Sequence, residues 1–231
     1  LHLGKWLTHV YSFRWSQFNN NLNRCKIKNY ELIERHRENK NKGGVAIYVH
    51  KNLRYIERAD ISIFKEGEFE SCFIEIPTKC KNIIIGEIYR IPGTREASFI
   101  TDYESIVQKI KDEKKDLIIG ADQNLDLLKI HTHAQTSKFL DLNLSYNILP
   151  TITKPTRVTH NTATLIDNIY ISTKFKANAH SAIISSDISD HLPCILLLGN
   201  SDIYKRSPLA FKYRKIDDNV INDVCDELKS V

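Results

Sequence analysis

The sequence predicts a β-rich α/β domain in which two sheets pack face to face and helices cover the outside. Three observations carry that expectation. Strand-like runs are many and mostly adjacent, with few helical stretches between them, which disfavours a βαβ-wound parallel sheet. Phe69 to Ile76 alternates, with Phe69, Ser71, Phe73 and Glu75 on one face and Glu70, Cys72, Ile74 and Ile76 on the other. Leu117-Ile118-Ile119-Gly120 is too apolar for a half-exposed strand and reads as central.

Taken in order, residues 1–24 carry Trp6, Val10, Phe13, Trp15 and Phe18 in a loosely helical pattern that Asn19-Asn20-Asn21 breaks. They read either as a helix or as sequence foreign to the domain that follows. Tyr30 to Ile33 is a short strand. A charged loop, Arg35 to Lys42, precedes Gly43-Gly44, which opens the β-branched run Val45 to Val49. Leu53 to Ile56 is placed to pair with that run. Ile83 to Tyr89 is a strand ended by the Pro92-Gly93 turn. Phe99, Tyr103, Ile106, Val107 and Ile110 recur at helical spacing, with Thr101 and Glu104 at capping-box separation. A second helix covers His133 to Ser145, with Phe139, Leu140 and Leu144 inward. Ile166 to Ile171, Ala182 to Ile184 and Leu192 to Leu198 are strands, the last of them the final core element. Beyond Gly199 the chain turns polar, and Val220 to Leu228 reads as an amphipathic helix. The predicted organisation is a divergent segment at 1–25, a domain at 26–199 and a linker with a helix at 200–231.

The bulk composition narrows the setting. The chain has 231 residues, enough for one large domain, with 33 Lys+Arg against 28 Asp+Glu. A net charge of +5 is compatible with a nucleic-acid or phosphate partner without requiring one. Arg35, Arg37, Lys40 and Lys42 read as a solvated loop. The five cysteines are odd in number and none forms a CxxC pair, which indicates free thiols in a reducing, intracellular compartment. No apolar run is long enough for a bilayer, and no signal-peptide pattern opens the chain. The chain starts at Leu1 and contains no Met, so it reads as a fragment or as a reading frame that lost its start.

Four stretches carry chemistry. Ser189-Asp190-His191-Leu192-Pro193 sets a carboxylate and an imidazole at the mouth of a strand, where one can hold a metal and the other a proton. Gly120-Ala121-Asp122-Gln123-Asn124 follows the most apolar strand. Asp122 can orient or deprotonate a water there and Asn124 can donate to a phosphoryl oxygen, although a polar turn would have the same composition. Asp167 lies among apolar neighbours, where a buried carboxylate needs a partner such as His191. Tyr89 ends a strand and reads either as a phosphate contact or as an amphipathic core aromatic. The loop Lys154-Pro155-Thr156-Arg157-Val158-Thr159 is basic and hydroxyl-rich, suited to a phosphate backbone or simply to solvent.

Together, Gly43 to Val49, Tyr89-Arg90-Ile91-Pro92, Gly120 to Asn124, Pro155 to Thr159, Thr164 to Ile169 and Ser189 to Pro193 resemble the endonuclease/exonuclease/phosphatase superfamily. They resemble most the apurinic/apyrimidinic-endonuclease-like domain of non-LTR (LINE-type) retrotransposons. The resemblance implies a DNase I-like four-layer α-β-β-α sandwich and a Mg²⁺-dependent phosphodiesterase, with Mn²⁺ as a substitute. It implies that Tyr89 contacts substrate phosphate, Asp122 activates the nucleophile or protonates the leaving group, and Asn124 binds phosphate. It pairs Asp167 with His191, sets Asp190 near the metal, and gives Thr156 and Arg157 to DNA. The partners it implies are DNA and a reverse transcriptase encoded downstream, with no membrane.

Two departures from the family pattern stand out. Ala121 and Gln123 replace a glycine and an aromatic around Asp122. No acid precedes Glu31, and Glu31 lies too close to Gly43 to be the family's metal-binding Glu, so the opening strand, first helix and that Glu are expected to be missing. Three readings follow: an active endonuclease that nicks DNA to prime reverse transcription; an inactive mobile-element remnant with weak nucleic-acid binding; and a phosphatase or lipid phosphodiesterase of the same superfamily, against which the Pro-Thr-Arg loop counts.

Overall fold

The computed structural model describes residues 26–36, 44–186 and 189–199. The expected helices in 1–24 and over Val220 to Leu228, the expected lack of an opening strand and most of the charged loop lie outside the described residues. The strands β1 (Tyr30–His36) and β2 (Gly44–His50) form an antiparallel pair in register over their whole length. The chain continues through β3 (Ile56–Glu57), β4 (Phe64–Lys65), β5 (Phe69–Ile76), β6 (Ile83–Arg90), helix α1 (Glu96–Asp112) and β7 (Asp116–Asp122). Helix α2 (Ala134–Ser145), β8 (Ile148–Pro150), the short pair β9 (Arg157–Val158) and β10 (Ala163–Thr164), β11 (Asp167–Ser172), β12 (Ala179–Ile183) and β13 (Cys194–Leu198) complete it.

Seven strands make one mixed sheet in the order β3-β5-β6-β7-β11-β8, with β4 also beside β5. Among these pairings β6 and β7 alone are parallel, and α1 connects them. The alternation of β5 sorts the sheet's two faces. Phe69 and Phe73 pack with Ile84, Ile88 and Ile119 against Phe99, Tyr103 and Phe139 of the helices. Cys72 and Ile74 pack with Ile85 against Ile33, Val45, Ile47 and Val49 of the β1–β2 pair. The described residues therefore stack as helices, large sheet and small sheet, in the DNase I-like α/β arrangement.

Several local expectations are corrected. Ile56–Glu57 pairs with β5, not with β2, while Leu53 and Tyr55 pack on the core between the sheets. Helix α1 begins at Glu96, so Thr101 lies inside it, its hydroxyl donating to the Ala97 carbonyl at 3.0 Å; Thr101 and Glu104 form no cap. On α2 the buried side chains are Thr136, Phe139 and Asn143, and Leu144 is exposed. Asn143 takes the inward place because its Oδ1 accepts the Tyr103 hydroxyl at 2.6 Å and its amide donates to Phe139 O at 2.8 Å. Finally, β13 pairs with β12 in a two-stranded sheet, and Leu197 and Leu198 are exposed, so its role as a core strand does not hold.

Candidate active site

The register of the large sheet builds the site. Tyr89 at the end of β6 stands opposite Asp122 at the end of β7, and Asp122 stands opposite Asp167 at the start of β11. Directly paired residues point to the same face of a sheet, so the three side chains form a lateral row. That face looks toward the β1–β2 pair, since Tyr89 packs against the core between the sheets. Glu70, fully buried, stands opposite Tyr89 and extends the row to four strands.

His191 closes over the row. Its Nδ1 lies 3.0 Å from both carboxylate oxygens of Asp167, and both side chains are largely buried. Burial alone would lower the imidazole's proton affinity. The hydrogen bond to Asp167 and the negative charges of Asp167, Asp122 and Asp190 outweigh it, so the His191 pKa lies above its ordinary value. Ligand atoms of Asp122, Asp167 and His191 all lie within 4.8 Å of one another.

Beside them, Arg157 approaches one oxygen of Asp190, Nε at 2.9 Å and a terminal nitrogen at 2.8 Å from Oδ2. The backbones of Arg157 and His191 are bridged. Thr156 is fully buried and spends itself on the framework. Its N–H donates to Thr164 O at 2.9 Å, its carbonyl accepts the Leu192 N–H at 2.6 Å, and its Oγ1 accepts the N–H groups of Asp167 and Ile166 at 3.0 and 3.3 Å. The DNA contact expected of Thr156 is therefore corrected to a structural role: a side chain with no exposed surface and a hydroxyl oxygen committed to two amides cannot meet a substrate.

The turn after Asp122 is held by a buried arginine. Arg90 Nε donates to Gln123 O at 2.7 Å and its terminal nitrogens to Asn124 O at 2.6 Å and Thr94 O at 3.1 Å. The Asn124 amide returns a bond to Arg90 O at 2.7 Å. Asn124 adopts a left-handed backbone (φ 48°), which asparagine tolerates better than most residues. Gln123 is fully buried, and its Oε1 has no hydrogen-bond partner among the described residues.

Tyr89, Asp122, Asp167 and His191 are thus together; Asp190 and Arg157 flank the imidazole as a pair; Asn124 lies round a tight turn from Asp122. Sequence reasoning missed the Arg90 clasp and Glu70. The signal for Glu70 was present, because a carboxylate shares the face of Cys72, Ile74 and Ile76. Two carboxylates and an imidazole at this spacing could hold a divalent cation.

No curated protein matches the chain by sequence. Among solved structures it is similar to the endonuclease domain of TRAS1, a telomere-specific non-LTR retrotransposon, at 14% identity and a TM-score of 0.62, covering 76% of this chain and 82% of that one. It is similar also to an AP endonuclease from Archaeoglobus fulgidus, at 13% identity, TM-score 0.53 and coverage of 74% and 79%. A third is D. rerio TDP2 complexed with single strand DNA product, at 14% identity, TM-score 0.51 and coverage of 73% and 76%. At such identities the likeness is one of fold. The sequence model of the endonuclease/exonuclease/phosphatase family matches residues 2–191, and the chain belongs to that family.

Proposed function

We propose that this chain is the metal-dependent DNA endonuclease domain of a non-LTR retrotransposon, nicking target DNA to prime reverse transcription by a polymerase encoded downstream. The observation that carries the reading is the cluster of Asp122, Asp167 and His191 beside Tyr89. Support for the lineage comes from the likeness to the TRAS1 domain, and support for a DNA substrate from the DNA-bound TDP2 structure.

In this reading Asp122 orients a water and takes its proton, or returns one to the leaving oxygen. Asp167 fixes the ring of His191, whose Nε2 then faces the phosphate as a donor. The Tyr89 hydroxyl and the remaining amide hydrogen of Asn124 contact phosphoryl oxygens. Arg157 meets the DNA backbone. A divalent cation held at Asp122 of that cluster, with Asp190 beside it, would supply stabilisation of charge on the scissile phosphate.

A second reading, an inactive remnant that still binds nucleic acid, has its own observation. The first acid in the matched span is Glu31; it accepts the Tyr55 hydroxyl at 3.1 Å in an exposed position and is not among the clustered ligands. Incubation of supercoiled plasmid with the chain and Mg²⁺, beside phosphoinositide and sphingomyelin, separates the readings. Nicking that is lost in Asp122→Asn and His191→Ala supports the endonuclease. DNA binding without nicking supports the remnant, and hydrolysis of a lipid alone overturns both.

A further inference from the structure

We propose that Arg157 holds Asp190 in the DNA-free protein and releases it when substrate arrives, so that DNA and the divalent cation bind cooperatively. The inference rests on the endonuclease reading. Both approaching nitrogens of Arg157 converge on Oδ2 of Asp190, at 2.9 and 2.8 Å. The positive charge of Arg157 on Oδ2 disfavours a cation at Asp190, and the two nitrogens so engaged must leave Oδ2 before they can meet a phosphate. The two ligands of the reaction therefore each ask for one half of the same pair.

The surroundings permit an exchange of side chains without movement of the frame. Thr156, immediately before Arg157, is buried and bonded to two chain segments, Thr164 to Asp167 and Leu192, and the Arg157 backbone is bridged to His191. The side chains themselves are 40% and 47% exposed, so water and ligand reach them. Their position beside the imidazole, where Asp190 adds to the field on His191, keeps the exchange within the site.

The size of the effect follows from the pair's strength. An exposed ion pair of this kind is favoured over its open form by roughly two- to fivefold. A cation that needs the open form then binds weaker by about three- to sixfold, the reciprocal of the open fraction. A DNA phosphate that draws Arg157 away restores that factor, and by linkage the cation tightens DNA equally.

The test measures Mn²⁺ affinity calorimetrically on the 231-residue chain, alone and with a saturating duplex of nuclease-resistant phosphorothioate backbone. In the unaltered protein the duplex should tighten Mn²⁺ about three- to sixfold. In Arg157→Ala, Mn²⁺ should bind tighter by that factor without DNA, and the duplex should tighten Mn²⁺ about three- to sixfold less than it does in the unaltered protein. Arg157→Lys keeps the charge without the fork; it should fall between, and it serves if the alanine variant is unstable. In an Asp190→Asn background the Arg157 substitution should have no further effect on Mn²⁺. Weaker Mn²⁺ binding in Arg157→Ala, or an unchanged response to DNA, overturns the proposal. Binding of both ligands without coupling overturns it alone; binding of neither overturns it together with the endonuclease reading.

Discussion

Asp116 and Asp122 stand at opposite ends of β7, are of the same parity along the strand, and are equally buried at 5% exposure. Their company differs. Asp116 is paired with Lys81 at 3.0 Å and with Lys174. Nearby, Arg58 binds Glu75 and Glu113 at 2.7 and 2.6 Å, and Lys115 binds the same two acids at 2.6 Å. Asp122 instead faces another carboxylate, Asp167, across the strand pair, with His191 as the third member of its cluster. Like charges set opposite one another are unfavourable. Burial does not distinguish the two acids; their partners do, two lysine ammonium groups at Asp116 against a carboxylate, an imidazole and the charge of Arg90 around Asp122.

The comparison breaks most directly by substituting each acid in turn. Asp122→Asn should lower plasmid nicking by about 10²–10⁴-fold, the usual worth of a positioned acid or base. Asp116→Asn should leave nicking within a few-fold and lower stability by roughly 1–3 kcal/mol, since two lysines lose their shared partner. Equal effects on activity would erase the distinction between the two ends.

A titration sharpens it. Asp167→Asn should lower the pKa of His191, read from the imidazole resonances by NMR, because the partner that raises it is gone. The folded value in the unaltered protein lies above the unfolded 6.5. The stability this confers is full below 6.5 and is lost as pH rises through the folded value. The stability gap between the unaltered protein and Asp167→Asn should therefore be widest on the acid side of 6.5 and narrow above it. A gap that widens with pH would mean His191 is held neutral.

The smallest effect concerns Gln123. An apolar residue of similar size removes the unpartnered oxygen of Gln123 but also the donation of its amide to Leu125 O at 3.3 Å, and the two effects oppose. Gln123→Leu should change stability by less than about 1 kcal/mol in urea unfolding, with nicking unchanged.

Much of this was legible in the residues and some was not. The alternation over Phe69 to Ile76 marks β5 residue for residue, and Tyr89, Asp122 and Asp167 each stand at an end of a strand that local pattern identifies. Register was not legible, because which residue of β6 stands beside Asp122 depends on a parallel pairing joined through a whole helix. Thr156 misled for a related reason. A threonine between Pro155 and Arg157 reads as exposed until the two segments that need its polar atoms are in place. The Leu144 and Asn143 exchange on α2 rests on a hydroxyl forty residues away in the sequence, which no local periodicity registers.

The bonds around Thr156 have a consequence for how such a loop can diversify. The turn beyond it, from Val158 to Ala163, hangs from two stems closed by the Thr156–Thr164 hydrogen bond. Changes of length or composition within that turn are insulated from Asp167 and His191, whereas any change at Thr156 itself is transmitted to both. A substitution within the turn should therefore leave the Asp167–His191 hydrogen bond in place, where one at Thr156 should loosen it.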